Sequence, residues 1–385
     1  MKQILFITHH YLYGNSGGCY ASSAYINAFL EVCEQLTLLY PMKKGGTPRF
    51  LSDSPRLQKI PVWYNKPKIA KFIDLLCGKV HRYDNIRKYI KNASFDIVVF
   101  DTSLVSFHLI DYFKKRGSKI ICIHHNYQYE YFRDNIHGLM RNPVLYWCKR
   151  YEREAVRKSD INLTLTPQDE TLLRQAYGKG FEKFDIIGVF EYQRRKPKEI
   201  CMDSKLPTFV ITGGLGAYQT KESLKQWLLT CYCKLENVYP NHRLIIAGRN
   251  PDEQLLDLCQ NYPQIEVIAN PVNMDEVLVK GDFYLCPTSL GGGLKLRIMD
   301  GLSHGMPVIT HAVSARGYEA FQEEGFLFSY ETPEQFEECL YKLAHKDFNK
   351  KEIRNFYEST CSFDKGVERV KKILSFIKAD EAYLQ

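Results

Sequence analysis

The stretch from Tyr284 to His311, YLCPTSLGGGLKLRIMDGLSHGMPVITH, constrains this chain more than any other. Tyr284 to Cys286 is an apolar run of strand length, and Gly291, Gly292 and Gly293 free the backbone for positive φ and close approach to a ligand. The apolar spacing Leu294, Ile298, Met299, Leu302 predicts a helix immediately afterwards. A glycine turn feeding a helix start presents N–H groups and the positive dipole end to an anion, and Lys295 adds charge of the same sign. Asp300, one turn on, is placed to accept from ribose hydroxyls. The competing reading is a glycine-rich turn beside a solvated lysine.

Around this stretch the chain alternates strand and helix twice over. In the first half strands are predicted at Ile4–Thr8, Leu36–Tyr40, Ile97–Phe100, Ile120–His124, Ile161–Leu165 and Asp185–Gly188. Helices are predicted over Ala21–Val32, Leu104–Lys115, Pro143–Lys158 and Gln168–Ala176. Apolar strands separated by amphipathic helices imply an α/β fold with parallel sheets covered on both faces. The charged, proline-bearing QRRKPKEICMDSKL, starting at Gln193, breaks the pattern and reads as a linker. The second half repeats the scheme, with strands near Phe209, Leu244, Ile265, Tyr284, Val308 and Phe326, and a last amphipathic helix over Phe363–Lys378.

The segment GGGLKLRIMDGLSHGMPVIT resembles the C-terminal signature of the group 1 (family 4) glycosyltransferases. YEREAVRKSDINLTLTPQDETLL from Tyr151, FVITGGLGAYQTKESLKQWL from Phe209 and LIIAGRNP from Leu244 resemble the same family. The resemblance implies a GT-B fold: two Rossmann-like domains facing across a cleft, with the C-terminal helix crossing back to the N-terminal domain. The implied division is an acceptor-binding domain over 1–192, a linker over 193–206, a nucleotide-sugar-binding domain over 207–361 and the crossover helix over 362–385. The family's pair of acidic residues eight apart is half kept, because Gly292 stands where the first belongs and Asp300 replaces the second.

Composition narrows the function classes. Hydrophobic residues at 45% and charged residues at 25% describe a globular chain long enough for two domains. The 12 cysteines match no metal-ligand spacing and read as reduced core residues of a cytoplasmic protein. The opening MKQILFITHHYLYG turns polar too soon for a signal peptide, and no stretch reaches the roughly 18 apolar residues of a membrane span. Residues 1–200 hold 32 Lys and Arg against 19 Asp and Glu, whereas the remainder is net negative. A basic half suggests an anionic partner, and the absence of helix-turn-helix, zinc-finger or aromatic RNA-binding signatures argues against nucleic acid. Between Lys43 and Lys91, Lys66, Lys68, Lys71, Lys79, Arg82, Arg87 and Lys88 interleave with Trp63, Tyr64, Phe72, Leu75 and Leu76. That stretch reads as a surface for an anionic membrane or as an ordinary cationic helix and loop.

Within the implied fold, candidate residues fall at strand ends. Gly14, Gly17 and Gly18 open the first helix and offer N–H donors to the donor pyrophosphate or to the acceptor, although their spacing is not a dinucleotide fingerprint. His124 and His125 are expected to leave the sheet into the cleft, and His125-Asn126 matches the family's His-Asn pair; His125 is the candidate to hydrogen-bond a sugar hydroxyl or to steady charge at the anomeric centre, the bland reading being a neutral imidazole satisfied by backbone. Glu130, with Tyr129, Tyr131 and Phe132, is a candidate acceptor lining. On the donor side stand Gly213, Gly214, Arg249, Gly292, Gly293, Leu294, Lys295 and Asp300, with Arg297 a further cation. The sequence contains no Asp-x-Asp, so fixed cations, Lys295 first, are expected to neutralise the leaving diphosphate in place of a metal. No resident cofactor is expected, the nucleotide sugar, UDP- or GDP-linked, being a co-substrate. The resemblance implies a retaining hexosyltransferase acting on a glycan or lipid-linked acceptor in cell-surface polysaccharide or lipopolysaccharide synthesis, peripheral to the membrane. A non-catalytic GT-B scaffold binding a glycan or protein partner is the alternative.

Overall fold

The structure, a computed structural model, describes residues 2–14, 16–42, 46–63, 67, 69, 70, 73, 83, 86–104, 107–136, 138–196, 198, 206–291 and 293–382. Most of the basic stretch expected to meet a membrane, including Lys66, Lys68, Lys71, Lys79 and Arg82, lies outside the described residues, as does Gly292. The chain divides into two compact units, Met1–Arg194 together with Ser362–Gln385, and Arg195–Cys361.

Unit 1 is built on seven parallel strands: β1 (Gln3–Thr8), β2 (Gln35–Met42), β3 (Leu57–Trp63), β4 (Ile97–Asp101), β5 (Lys119–His124), β6 (Ile161–Thr164) and β7 (Phe184–Ile186). Their spatial order is β3-β2-β1-β4-β5-β6-β7. Unit 2 has six parallel strands: β8 (Thr208–Gly214), β9 (Arg243–Arg249), β10 (Ile265–Ala269), β11 (Phe283–Cys286), β12 (Val308–His311) and β13 (Leu327–Tyr330), ordered β10-β9-β8-β11-β12-β13. The expected pair of parallel α/β sheets is therefore present. In each unit the chain winds outward from its first strand and then reverses, so that β1 and β4, or β8 and β11, are neighbours whose following loops diverge. Ligands of such sheets settle at that reversal, beyond the carboxyl ends of the strands.

The central strands are apolar on both faces because helices cover both. Leu5, Ile7, Val98, Phe100, Ile120 and Cys122 share one core cluster with Ile110, Phe113 and Ala155, while Phe6, on the other face, meets Phe29 at 5.9 Å between ring centroids. Phe209, Ile211, Leu244 and Ile246 form the corresponding layer in unit 2 with Trp227, Leu228 and Phe336.

Differences from the sequence reading have physical causes. β3 was not anticipated; it is an edge strand interrupted by Pro61, with exposed positions at Gln58 and Lys59 that hide its apolar pattern. Helix Gln128–Asn135 was missed as well, because its tyrosines and charges carry little apolar stripe. β7 lies one to two residues earlier than Asp185–Gly188.

The last helix, Phe363–Ala382, belongs to unit 1 and packs on helix Gly17–Val32. Val367, Val370, Leu374 and Ile377 recur at helical spacing and are all buried. Arg369 Nη1 donates to the Ile187 carbonyl at 3.0 Å, tying the helix to the segment after β7. Gly366 faces the Phe190 ring so closely that a Cβ there would stand 2.1 Å from it, and Phe190 is itself 1% exposed and hemmed in. Gly366→Val is therefore expected to destabilise unit 1 by about 2 kcal/mol through overpacking; a thermal midpoint equal to wild type refutes this.

Candidate functional site

At the reversal of unit 1, the carboxyl ends of β1, β4 and β5 converge. The parallel register pairs Thr8 with Asp101. Asp101 is fully buried; its Oδ2 accepts from the Thr8 hydroxyl at 2.7 Å and its Oδ1 lies 2.6 Å from His125 Nε2. The Thr8 hydroxyl accepts in turn from the His10 N–H at 3.1 Å, and Tyr83 donates to the Thr8 carbonyl. The His10 and His125 rings lie 4.7 Å apart, and ligating atoms of His10, Asp101 and His125 fall within 4.8 Å of one another. Burial alone raises the Asp101 pKa, but the charges of His125 and His10 and the hydrogen bond from His125 outweigh it and hold the carboxyl below its ordinary value.

Gly17 and Gly18 form the first turn of helix Gly17–Val32, whose Ser16 cap accepts from Cys19 N. Gly18 has a packing reason: a Cβ would stand 2.5 Å from the His10 ring, so the glycine lets that imidazole reach the site. His124 departs from expectation. It stays within β5, fully buried, with Nε2 2.9 Å from Asn162 Oδ1, and burial pushes its pKa down to about 4. His125 alone leaves the sheet. Asn126 is part-buried, with an Oδ1 that has no hydrogen-bond partner among the described residues. Glu130 sits on helix Gln128–Asn135 and pairs with Arg133 at 3.1 Å. The backbone entering that helix is held by Glu152, a buried carboxylate accepting from Gln128 N, Tyr129 N and the Tyr177 hydroxyl. Burial raises Glu152 to about 7.

The reversal of unit 2 gathers cations. Gly213 and Gly214 end β8 beside Gly248 and Arg249 of β9. Arg297 reaches across to the Thr212 carbonyl at 3.4 Å and to Thr220 Oγ1 at 3.0 Å, past Gly213, where a Cβ would stand 2.5 Å from its guanidinium. Ser223 Oγ accepts from the backbone of Ser289 and Leu290, which anchors the loop after β11 to helix Tyr218–Thr230. Lys295 is 9% exposed and donates to the Gly291 carbonyl at 3.1 Å. Desolvation first, then the charges of Arg297 and Arg316, lower its pKa to about 8. The helix expected from Leu294 begins three residues later, as Arg297–Ser303, because Gly293 takes φ 76° and Lys295 folds back on Gly291. That helix is too short to lend the dipole that the sequence suggested, leaving the side-chain cations as the source of positive charge. Asp300 lies on it, partly buried, while Leu294 is partly buried in the loop and Arg249 is exposed at the strand end.

Residues 207–346 match the family described as Glycosyl transferases group 1. That segment of unit 2 is similar to the group 1 glycosyltransferases. Its fold across the whole length is that of GT-B enzymes. A sucrose-phosphate synthase from Thermosynechococcus elongatus aligns with TM-score 0.72 at 13% identity, covering 99% of this chain and 100% of that one. The lipopolysaccharide outer core galactosyltransferase WaaB aligns with TM-score 0.66 at 13% identity over 97% of this chain and 99% of that one. Anabaena Alr3699/HepE, in complex with UDP and glucose, aligns with TM-score 0.62 at 9% identity over 97% and 100%. No curated protein sequence matches the chain.

Asp101 and His10 of unit 1 are not among the candidates that the sequence suggests. Their only local signal is a polar residue closing an apolar strand, as in IVVFD and ITHH. Arg316, too, emerges only from the geometry.

The lowered pKa of Lys295 has a measurable sign. Below about pH 8 the folded protein bears a desolvated cation; between about 8 and the ordinary 10.5 the unfolded chain holds a proton that the folded one has shed, so this penalty is relieved as pH rises. Lys295→Met is expected to raise the thermal midpoint of the free protein at pH 7, with the gap from wild type narrowing toward pH 10. A gap independent of pH, or a lower midpoint at pH 7, contradicts the burial of a charged lysine.

Proposed function

We propose that the protein transfers a hexose from a UDP- or GDP-linked sugar to a hydroxyl of a glycan or lipid-linked acceptor, with retention, in cell-surface polysaccharide or lipopolysaccharide synthesis. The observation that carries this reading is the cation group Lys295, Arg297 and Arg316 at the reversal of unit 2, where a diphosphate leaving group gains most from fixed charge. Positive groups held in place before reaction stabilise the departing oxyanions without reorganisation, which is the work a metal performs elsewhere. Lys295 and Arg249 bind the diphosphate, the backbone at Gly213, Gly214, Gly293 and Leu294 admits it closely, and Asp300 accepts from ribose. Gly292 belongs to the same loop by sequence. In unit 1, His125 is the catalytic group and meets the acceptor hydroxyl, while Asn126 and the first turn at Gly17 and Gly18 bind the acceptor, with Glu130 at its margin.

Screening UDP-glucose, UDP-galactose, UDP-N-acetylglucosamine and GDP-mannose for thermal stabilisation and nucleotide release tests the reading. Lys295→Ala is expected to cut turnover of the active donor on the order of 100-fold, and Asp300→Ala to raise its KM. Wild-type turnover by Lys295→Ala removes the lysine from the site. Nucleotide binding with no release from any donor favours a non-catalytic scaffold.

A lipid-linked acceptor places the enzyme at an anionic bilayer. No helix among the described residues is long and apolar enough to cross one, so contact is peripheral and electrostatic. Flotation with anionic vesicles at low salt is expected to recover the protein and added salt to release it; equal recovery with neutral vesicles overturns the membrane contact.

A further inference from the structure

Asp101 is wholly buried at the end of a central strand, where an ion pair or hydrogen bonds must compensate its charge. Both oxygens are engaged, Oδ2 by the Thr8 hydroxyl at 2.7 Å and Oδ1 by His125 Nε2 at 2.6 Å. A carboxyl that takes the Thr8 hydroxyl on one oxygen and a ring nitrogen at 2.6 Å on the other is matched by its ionised form, which only accepts. The shared proton therefore resides on His125 Nε2. The other ring nitrogen, Nδ1, makes no hydrogen bond among the described residues, and the side chain keeps 10% of its surface open. In the neutral ring that nitrogen holds a lone pair. His10, seated by Gly18 and linked through Thr8, flanks the imidazole at 4.7 Å and restricts its rotation. The same three residues outline a cation site, but tetrahedral ligands at about 2.0–2.1 Å from a metal stand roughly 3.3 Å apart. A separation of 2.6 Å is that of a charge-assisted hydrogen bond.

We infer that Asp101 is the positioning residue of the unit 1 site, fixing His125 in the Nε2-protonated form so that Nδ1 accepts a hydrogen bond from the hydroxyl of the sugar acceptor. The inference rests on the assignment of His125 to the acceptor. It makes His125 an acceptor of the hydroxyl hydrogen, orienting the oxygen lone pair toward the sugar. Asp101 itself does not meet substrate. Replacing it with asparagine keeps the shape but offers an N–H₂ to Nε2, which favours the opposite tautomer and turns Nδ1 into a donor.

Histidine-selective ¹⁵N labelling of the free protein reads the tautomer directly, with His125→Ala assigning the resonance. The wild type is expected to show a protonated Nε2 and a bare Nδ1, and Asp101→Asn to shift the ring toward Nδ1–H. A wild-type ring protonated on Nδ1 alone overturns the inference, whether or not any variant folds, and so does a tautomer unmoved in a folded Asp101→Asn. On the sugar nucleotide that the wild type turns over, Asp101→Asn is expected to lower kcat on the order of 100-fold with donor KM unchanged. The double variant with His125→Ala should be no slower than His125→Ala alone. An extra loss in the double variant assigns Asp101 a structural role instead. Full activity of His125→Ala refutes the acceptor assignment while leaving the tautomer measurement standing, so the two failures are told apart.

Discussion

Everything functional in this protein depends on the reversal of strand order beside the first strand of each sheet. A parallel strand cannot pair with its successor through a tight turn, so each connection crosses the sheet and returns the chain to the same edge. When the winding changes direction, the loops after β1 and β4, or after β8 and β11, separate. Unit 1 fills that opening with a carboxylate and two imidazoles, and unit 2 fills it with lysine and arginine. One topological accident, used twice, thus yields two environments of opposite chemical character.

Both environments place charge where a folded protein would rather have none. Lys295 is buried among like charges, and Asp101 is sealed beneath the ends of three strands. The two cases differ in how the cost is met. Asp101 is offset by partners within its own sheet and is rigid as a result, whereas the principal charged neighbours of Lys295 are themselves cations, Arg297 and Arg316. Like charges held close together cost stability that a network of opposite charges does not.

The architecture was largely legible in the residues because apolar strands alternating with amphipathic helices admit few other arrangements. β3 escaped since an edge strand carrying proline loses the pattern that identifies buried ones. The glycine loop after β11 is legible from its residues, but the helix after it starts three residues later than the spacing suggests, since spacing alone does not reveal that Lys295 folds back on Gly291. Asp101 was invisible for a deeper reason. Thr8, Asp101 and His125 are far apart in the chain; the register of β1 against β4 brings Thr8 to Asp101, and the pairing of β4 with β5 brings His125. His124 and His125 look equivalent in sequence, yet strand alternation sends one toward Asn162 and the other toward Asp101.

The return of helix Phe363–Ala382 to unit 1 bears on how the protein is made. During synthesis helix Gly17–Val32 emerges before the helix it buries against, with the whole of unit 2 between them. Unit 2, continuous from Arg195 to Cys361, is free to complete its fold in the interval. The amino-terminal unit therefore waits with one apolar flank bare while its successor matures, reversing the usual order in which domains finish. That flank is covered only when helix Phe363–Ala382 arrives.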